Sequence, residues 1–280
     1  MNSFTGFLKR HSLLLGILLM FLLTWPIDLA NAGILPFQVP EVAAIFVGYG
    51  FVFASLIMTG LTLGKDGVIA LLKRYLMWRV GWKWYLVALL LIPFIDLAGI
   101  LLNAAVTQAP LDFSTVLAHQ IFGPSINLLL IFFPFLLFDA IANGEEIAWR
   151  GYVLPRLQLK YSALASALLV GLIWGFWHIP KFLSHWDTIA FAWWMGDIMA
   201  KSVLLAWMYN NTKGSLLLVS LFHGSFNAAG VVLPVANTQS ASNLGALIVI
   251  VLLEAIVAAA VTVIAEPARL SRTEPKQIQE

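Results

Sequence analysis

The chain has 280 residues, of which 61% are hydrophobic and 11% charged, with a mean hydropathy of +0.90; a soluble domain carries roughly 25% charged residues. A formal charge of +2, with the basic residues spread over short connecting segments, points to no nucleic-acid partner, and the absence of cysteine excludes disulfides, thiolate metal sites and a cysteine nucleophile. Composition therefore describes an integral membrane protein in contact with a lipid bilayer, and residues 1–280 read as a single transmembrane domain.

A membrane-spanning helix needs about 20 mainly apolar residues. Eight segments meet that need, at about 12–30, 41–63, 84–106, 122–158, 162–180, 188–209, 214–234 and 244–265. The expected fold is an all-α bundle of about eight transmembrane helices. The first segment also resembles a signal peptide, because Lys9-Arg10 precedes the run Leu13–Trp25 and the small residues Ala30-Asn31-Ala32 follow it. The remaining topology works with that helix kept. The segment Gly67–Arg79 is too short and too basic to span, so it is expected to lie along a membrane surface. The fourth segment is too long for one ordinary span, and Pro134 and Gly144 are its expected bends.

Basic residues set the orientation. With both termini cytoplasmic, the inside set runs from Lys9 and Arg10 through Lys73, Arg74 and Arg79 to Arg269, Arg272 and Lys276, and only Lys181 falls in an outside loop. Trp78, Trp82 and Trp84 form an expected inner aromatic belt, and Trp25, Trp186, Trp193 and Trp194 an outer one. The expected location is an inner or plasma membrane of bacterial type.

Charge inside the membrane is costly, at ~2.5–3.5 kcal/mol or more per residue on insertion scales, and marks candidate sites. The densest cluster is Gly144-Glu145-Glu146-Ile147-Ala148-Trp149-Arg150. Glu146 and Arg150 are i,i+4 neighbours that can pair, which leaves Glu145 about 100° away for another task. Asp139, Asn143, Glu146 and Arg150 continue the same polar stripe. On other segments, Trp174 and His178 are i,i+4, as are His223 and Asn227. Counted from the hairpin tips at ~1.5 Å per residue, Glu145, His178 and Asn227 fall in one layer roughly 23–25 Å deep, with Arg150 and His223 one layer nearer the tips. Asp197 and Lys201 are expected to neutralise one another. Asp96, Asp139 and Glu254 receive no role.

A carboxylate beside an imidazole in a partly dry cavity can activate water, and a second imidazole with an amide can donate to a developing oxyanion. Such a set suits acyl-transfer hydrolysis within the membrane. The series Glu-Glu-x-x-x-Arg, a histidine at a helix end and His-x-x-x-Asn resembles the CPBP family, the CAAX-processing and bacteriocin-processing intramembrane proteases of Rce1 type. The resemblance covers a catalytic core of about residues 122–235. It implies an intramembrane endopeptidase acting on a peptide or protein, such as a prenylated CAAX-type or membrane-associated peptide. In it Glu145 and His178 activate water, His223 and Asn227 stabilise the oxyanion, and Glu146 and Arg150 support them. One departure stands out: the family's second motif is Phe-x-x-x-His, and here Trp174 holds the first position, a larger aromatic expected to alter substrate fit more than chemistry.

A metal-free, glutamic-type mechanism is favoured; the alternative is a zinc site of His178, His223 and Glu145. Two other classes compete. A proton-coupled transporter predicts internal repeats, and Glu145-Glu146 and His223-Asn227 have no counterparts in the first 120 residues. A non-enzymatic immunity or scaffold protein of the same fold would not need the full set of polar residues.

Overall fold

A bilayer offers backbone groups no hydrogen-bonding partner, so each spanning segment must satisfy its own ladder. The computed structural model answers this demand with helices: it describes residues 3–40, 49–108, 110–183, 191–234 and 244–271, and no strand occurs among them. In chain order the helices are α1 Ser3–Arg10, α2 Ser12–Asn31, α3 Gly50–Lys73, α4 Trp82–Thr107, α5 Leu117–Phe122, α6 Leu128–Ala142, α7 Leu154–Gln158, α8 Ala163–Trp177, α9 Ile179–Leu183, α10 Phe191–Asn211, α11 Leu216–Val232 and α12 Leu244–Ile264. Short 3-10 turns cover Arg74–Leu76 and Phe113–Thr115, and a π-helical segment covers Ile147–Val153. The all-α polytopic architecture expected from the apolar runs is present. Of the segments expected to span, α2, α3 with its 3-10 extension, α4 and α12 are long and apolar enough to do so alone, and a fifth span forms if the broken pair 128–142 and 147–158 counts as one. α8 and α11 are apolar but shorter than a full span.

The fourth expected span needs correction. It does not run 122–158 as one helix, because Gly123 at φ +89° ends α5 and Asn127 caps a new start, its side chain accepting the Leu129 N–H at 3.0 Å. Pro134 sits inside unbroken α6, and the break falls at Asn143-Gly144, with a 46° bend. The glutamate pair therefore restarts a helix instead of occupying the middle of one. α3 also bends: Gly64 takes φ +70°, a conformation open to glycine without penalty, and residues 65–73 continue as a separate basic, amphipathic stretch.

Packing explains which faces are apolar. α11 lies against α6 and α4, α10 against α8 and α12, α12 against α4, and α2 against α3, which in turn contacts the π segment. α11 and α6 approach closely at Gly224, where an added Cβ would stand 2.5 Å from the Leu136 carbonyl oxygen. Outward positions such as Phe138, Ile141 and Val263 are 67%, 85% and 78% exposed, as lipid-facing residues are.

Two belt assignments also change. Trp25 turns inward, donating its indole N–H to the Trp177 carbonyl at 3.0 Å, while Trp177 donates to Thr24 at 2.7 Å. Trp194 packs edge-on to the His178 ring, 5.2 Å between centroids. A tryptophan near a helix end is equally suited to lipid or to a neighbouring helix, and here the neighbours take both. Trp78 and Trp82 remain exposed. Trp186, Arg272 and Lys276 lie outside the described residues.

Candidate active site

The site begins with the broken helix. The last turn of α6 brings Asp139 and Asn143, and the restart brings Glu145, Glu146, Trp149 and Arg150. Asn143 makes the restart possible: its Oδ1 accepts the Glu145 backbone N–H at 2.9 Å, as a helix cap does. All of Ile147–Val153 is buried, and π segments of this kind recur at functional sites.

Glu146 and Arg150 pair as expected, Nη1 donating to Oε1 at 2.9 Å with both side chains enclosed. Arg150 also donates from Nη2 to Ser202 Oγ of α10 at 3.2 Å, and its guanidinium lies 4.8 Å from the Trp174 ring centroid. His223 of α11 reaches the same Glu146 Oε1 through Nδ1 at 2.8 Å. One carboxylate thus ties the broken helix to α11 and, through Arg150, to α10. An unpaired ion here would be costly, and this one has two hydrogen-bonded partners.

Glu145 is placed differently. Glu146 is 1% exposed, whereas Glu145 keeps part of its surface open. Its Oε2 accepts two indole N–H groups, from Trp174 of α8 at 2.5 Å and from Trp149 at 3.3 Å. Among the described residues nothing hydrogen-bonds Oε1, which leaves it able to face water. His178 ends α8 as its C-cap, just before Pro180. Its Nδ1 meets the Trp174 carbonyl at 2.8 Å. A carbonyl only accepts, so Nδ1 carries a proton and Nε2 is the basic nitrogen of the neutral ring. Trp174 is the common neighbour: its N–H holds Glu145, its carbonyl holds His178, and its ring lies 5.6 Å from that of His223.

The two expected oxyanion donors are occupied. The Asn143 amide nitrogen stands 3.0 Å from His223 Nε2 and, since Asn143 Oδ1 already accepts from Glu145, it donates to that nitrogen. Neutral His223 is therefore a donor at Nδ1 and an acceptor at Nε2. Asn227 donates to both Asp139 oxygens, at 3.2 and 3.1 Å. The structure thus brings Glu145, Glu146, Arg150, Trp174, His178 and His223 into one network, and joins Asn227 to it through Asp139 on the same α6 turn as Asn143. Asn143, Asp139, Trp149 and Ser202 were not assigned from the sequence. Asn143 and Asp139 lay on the polar stripe, and Trp149 stands i,i+4 from Glu145, so position alone could have named three of the four.

A metal would ask for other geometry. Among the described residues no three His, Asp or Glu side chains are gathered as ligands, and both ring nitrogens of His223 are engaged by Glu146 and Asn143. A zinc ion on His178, His223 and Glu145 would need His223 to leave both partners.

Elsewhere Asp197 and Lys201 pair at 2.5 Å as expected, and Glu254 of α12 joins them, 3.4 Å from Lys201. Asp96 of α4, also buried, lies within charge range of the same lysine. Lys201 sits 5.1 Å from the Phe226 ring, which stacks on His223 at 4.5 Å.

Comparison with known proteins agrees with the motifs. A family model described as type II CAAX prenyl endopeptidase Rce1-like matches residues 125–229. A protein of Methanococcus maripaludis named CAAX prenyl protease 2 is 28% identical over 152 residues, 50% of this chain and 53% of that protein. The chain thus spans about half the length of the curated relative it matches. The matched core contains every residue of the network, from Asp139 to Asn227, so the similarity of residues 125–229 to the Rce1-like proteins of the CPBP family takes in the whole candidate site.

Proposed function

We propose that the chain is an intramembrane endopeptidase that cleaves a peptide bond with water activated between Glu145 and His178. The observation that carries this reading is the unequal environment of the two glutamates. Glu146 is enclosed and shared by Arg150 and His223, whereas Glu145 is partly open, oriented by two indoles, with one oxygen unclaimed among the described residues. A general base must be held in place and still reach its water, and only Glu145 meets both conditions.

In this mechanism Glu145 Oε1 takes a proton from water as the oxygen attacks the scissile carbonyl carbon. His178, at the end of α8, orients that water and directs the lone pair. The carbonyl oxygen gains the negative charge. His223, once protonated, donates to it from Nε2 in place of accepting from Asn143, and Glu146 balances the imidazolium. Asn227 gives its second amide hydrogen. The proton held by Glu145 then passes to the leaving amine, and the carboxylate is restored. No step needs a metal, although zinc remains the rival for the polarising role. The named relative directs the choice of substrate: a carboxy-terminal peptide carrying a prenylated cysteine.

The test is cleavage of a farnesylated CAAX-type peptide by the purified chain in detergent, with Glu145→Gln beside it. The expected result is lost cleavage with the unfolding temperature retained. Equal cleavage by both proteins, or none by the wild type on prenylated and unprenylated peptides alike, would count against the reading and favour a scaffold or a transporter. Cleavage abolished by a chelator and restored by zinc would move the polarising role from His223 to a metal.

A further inference from the structure

Lys201 stands midway along α10, its side chain largely withdrawn from the surface, where an ammonium group is costly unless it is paired. Asp197, one turn earlier on the same helix, accepts from its Nζ at 2.5 Å. Glu254 of α12, fully enclosed, places an oxygen 3.4 Å from the same nitrogen. A lysine stem is long and flexible, and two carboxylates on different helices remove that freedom. The ammonium so fixed lies 5.1 Å from the centroid of the Phe226 ring on α11. A cation within about 6 Å of an aromatic face is attracted to it, more strongly where water is excluded.

Phe226 follows His223 by three residues, a spacing that puts both on one face of α11. Their ring centroids are 4.5 Å apart, with the planes 33° from parallel. This contact restrains what the hydrogen bonds of His223 leave loose. Its nitrogens meet Glu146 at 2.8 Å and Asn143 at 3.0 Å, along directions that lie in the plane of the imidazole. Such bonds hold their strength while the donor angle stays above about 150°, so a tilt of the ring by roughly 30° costs them little. A second ring against the face of the imidazole resists that tilt. Trp174 stands further off, at 5.6 Å and 50°. Tilt matters to the chemistry, because a donor to an oxyanion contributes only when it is aimed at the oxygen.

We propose that Phe226 is a positioning residue for His223, and that Lys201, anchored by Asp197 and Glu254, holds the Phe226 ring in place. The ion cluster between α10 and α12 then acts on the site across α11, besides joining two helices. The kinetic consequence rests on the proteolytic reading. The restraint on the imidazole does not, since it is a property of the resting protein.

The test uses the full chain in detergent and two readouts. On a farnesylated peptide, Phe226→Leu should lower kcat about three- to tenfold, the range that one aromatic contact carries, with KM unchanged. Phe226→Tyr keeps the ring and should keep kcat. The charge-balanced pair Lys201→Met with Glu254→Gln should lower kcat in the same direction, and should add nothing once Phe226 is leucine. A raised KM at constant kcat would make Phe226 a substrate contact and overturn the proposal; losses that multiply would overturn the part given to Lys201. The second readout needs no cleavage. With ¹⁵N-labelled histidine, and the His223 signals identified by their loss in His223→Asn, the wild type should show one protonated and one bare nitrogen as separate resonances. Phe226→Leu should broaden them or draw them together, and Phe226→Tyr should not. Unchanged His223 resonances in Phe226→Leu would overturn the proposal even if the wild type cleaves nothing, an outcome that would separately end the proteolytic reading. If Phe226→Leu does not fold, Phe226→Met supplies adaptable apolar bulk without a ring and takes its place in both measurements.

Discussion

The indole N–H of Trp174 lies 2.5 Å from the Glu145 carboxylate, a contact that the phenyl ring of the family's usual motif could not make. The tryptophan was expected to alter substrate fit more than chemistry. Its nitrogen instead reaches the group on which the proposed chemistry depends, while its backbone carbonyl fixes the tautomer of His178. Trp174 is thus a positioning residue for two groups at once, one through the side chain and one through the main chain.

Trp174→Phe separates these roles, because the carbonyl contact to His178 survives and only the N–H is lost. Glu145 is then held by Trp149 alone, at 3.3 Å. A hydrogen bond to a charged group contributes about 1.5–3 kcal/mol, so kcat should fall about 10- to 100-fold with KM nearly unchanged. Steady-state kinetics on a prenylated peptide check this. A raised KM at constant kcat would return Trp174 to substrate fit.

Arg150 should matter to stability more than its single ion pair suggests. It is fully buried, pairs with Glu146, bonds Ser202 and lies over Trp174. Arg150→Met leaves the Glu146 charge enclosed with only His223 beside it, a change worth about 3–5 kcal/mol when a buried pair loses one member. Adding Glu146→Gln should recover much of the unfolding temperature without recovering cleavage, because His223 then lacks its carboxylate. Thermal unfolding of the single and double variants in one detergent gives the comparison, and additive losses would mean the two residues do not act as a pair.

The acidic residues around Lys201 lead to a similar expectation in another part of the bundle. Asp197 and Glu254 contact the lysine, and Asp96 lies within its charge range. Lys201→Met removes the only basic side chain of that group among the described residues and should destabilise the fold by about 3–5 kcal/mol. Restoration by Glu254→Gln in the same chain would identify the α10–α12 contact as the origin; an unfolding temperature unchanged from wild type would show the lysine to be dispensable.

Much of this arrangement was legible in the sequence, and the failures have physical causes. Runs of apolar residues located every major helix, since length and hydropathy are sufficient for that. The Glu146–Arg150 and Asp197–Lys201 pairs followed from i,i+4 spacing. The break at Asn143-Gly144 was anticipated only as a bend, because an asparagine that caps the next turn looks the same in sequence as one on a helix face. The π segment was not legible, since its register differs too little from an α-helix to alter a pattern of seven residues. The contacts of Glu254 with Lys201 and of Asn143 with His223 join distant segments, and single-helix periodicity carries no information about them.

The approach of α11 to α6 gives the sharpest comparison between two glycines on one helix. A Cβ on Gly224 would stand 2.5 Å from the Leu136 carbonyl and 3.2 Å from the Ala140 nitrogen, both backbone atoms that cannot rotate away. Gly230, further along α11, has nothing within 4 Å of the same atom among the described residues. Alanine at 230 should be neutral or stabilise the helix by up to about 1 kcal/mol, the difference in helix propensity. Alanine at 224 must push the helices apart, and the first contacts to lengthen are those of the adjacent His223 with Asn143 and Glu146, at 3.0 and 2.8 Å. Gly224→Ala should therefore lower kcat at least tenfold, since a displacement of about 1 Å in a positioned group can cost 10²-fold, while Gly230→Ala cleaves as wild type does. Equal activity in the two variants would mean that the spacing of α6 and α11 is not what holds His223 at the site.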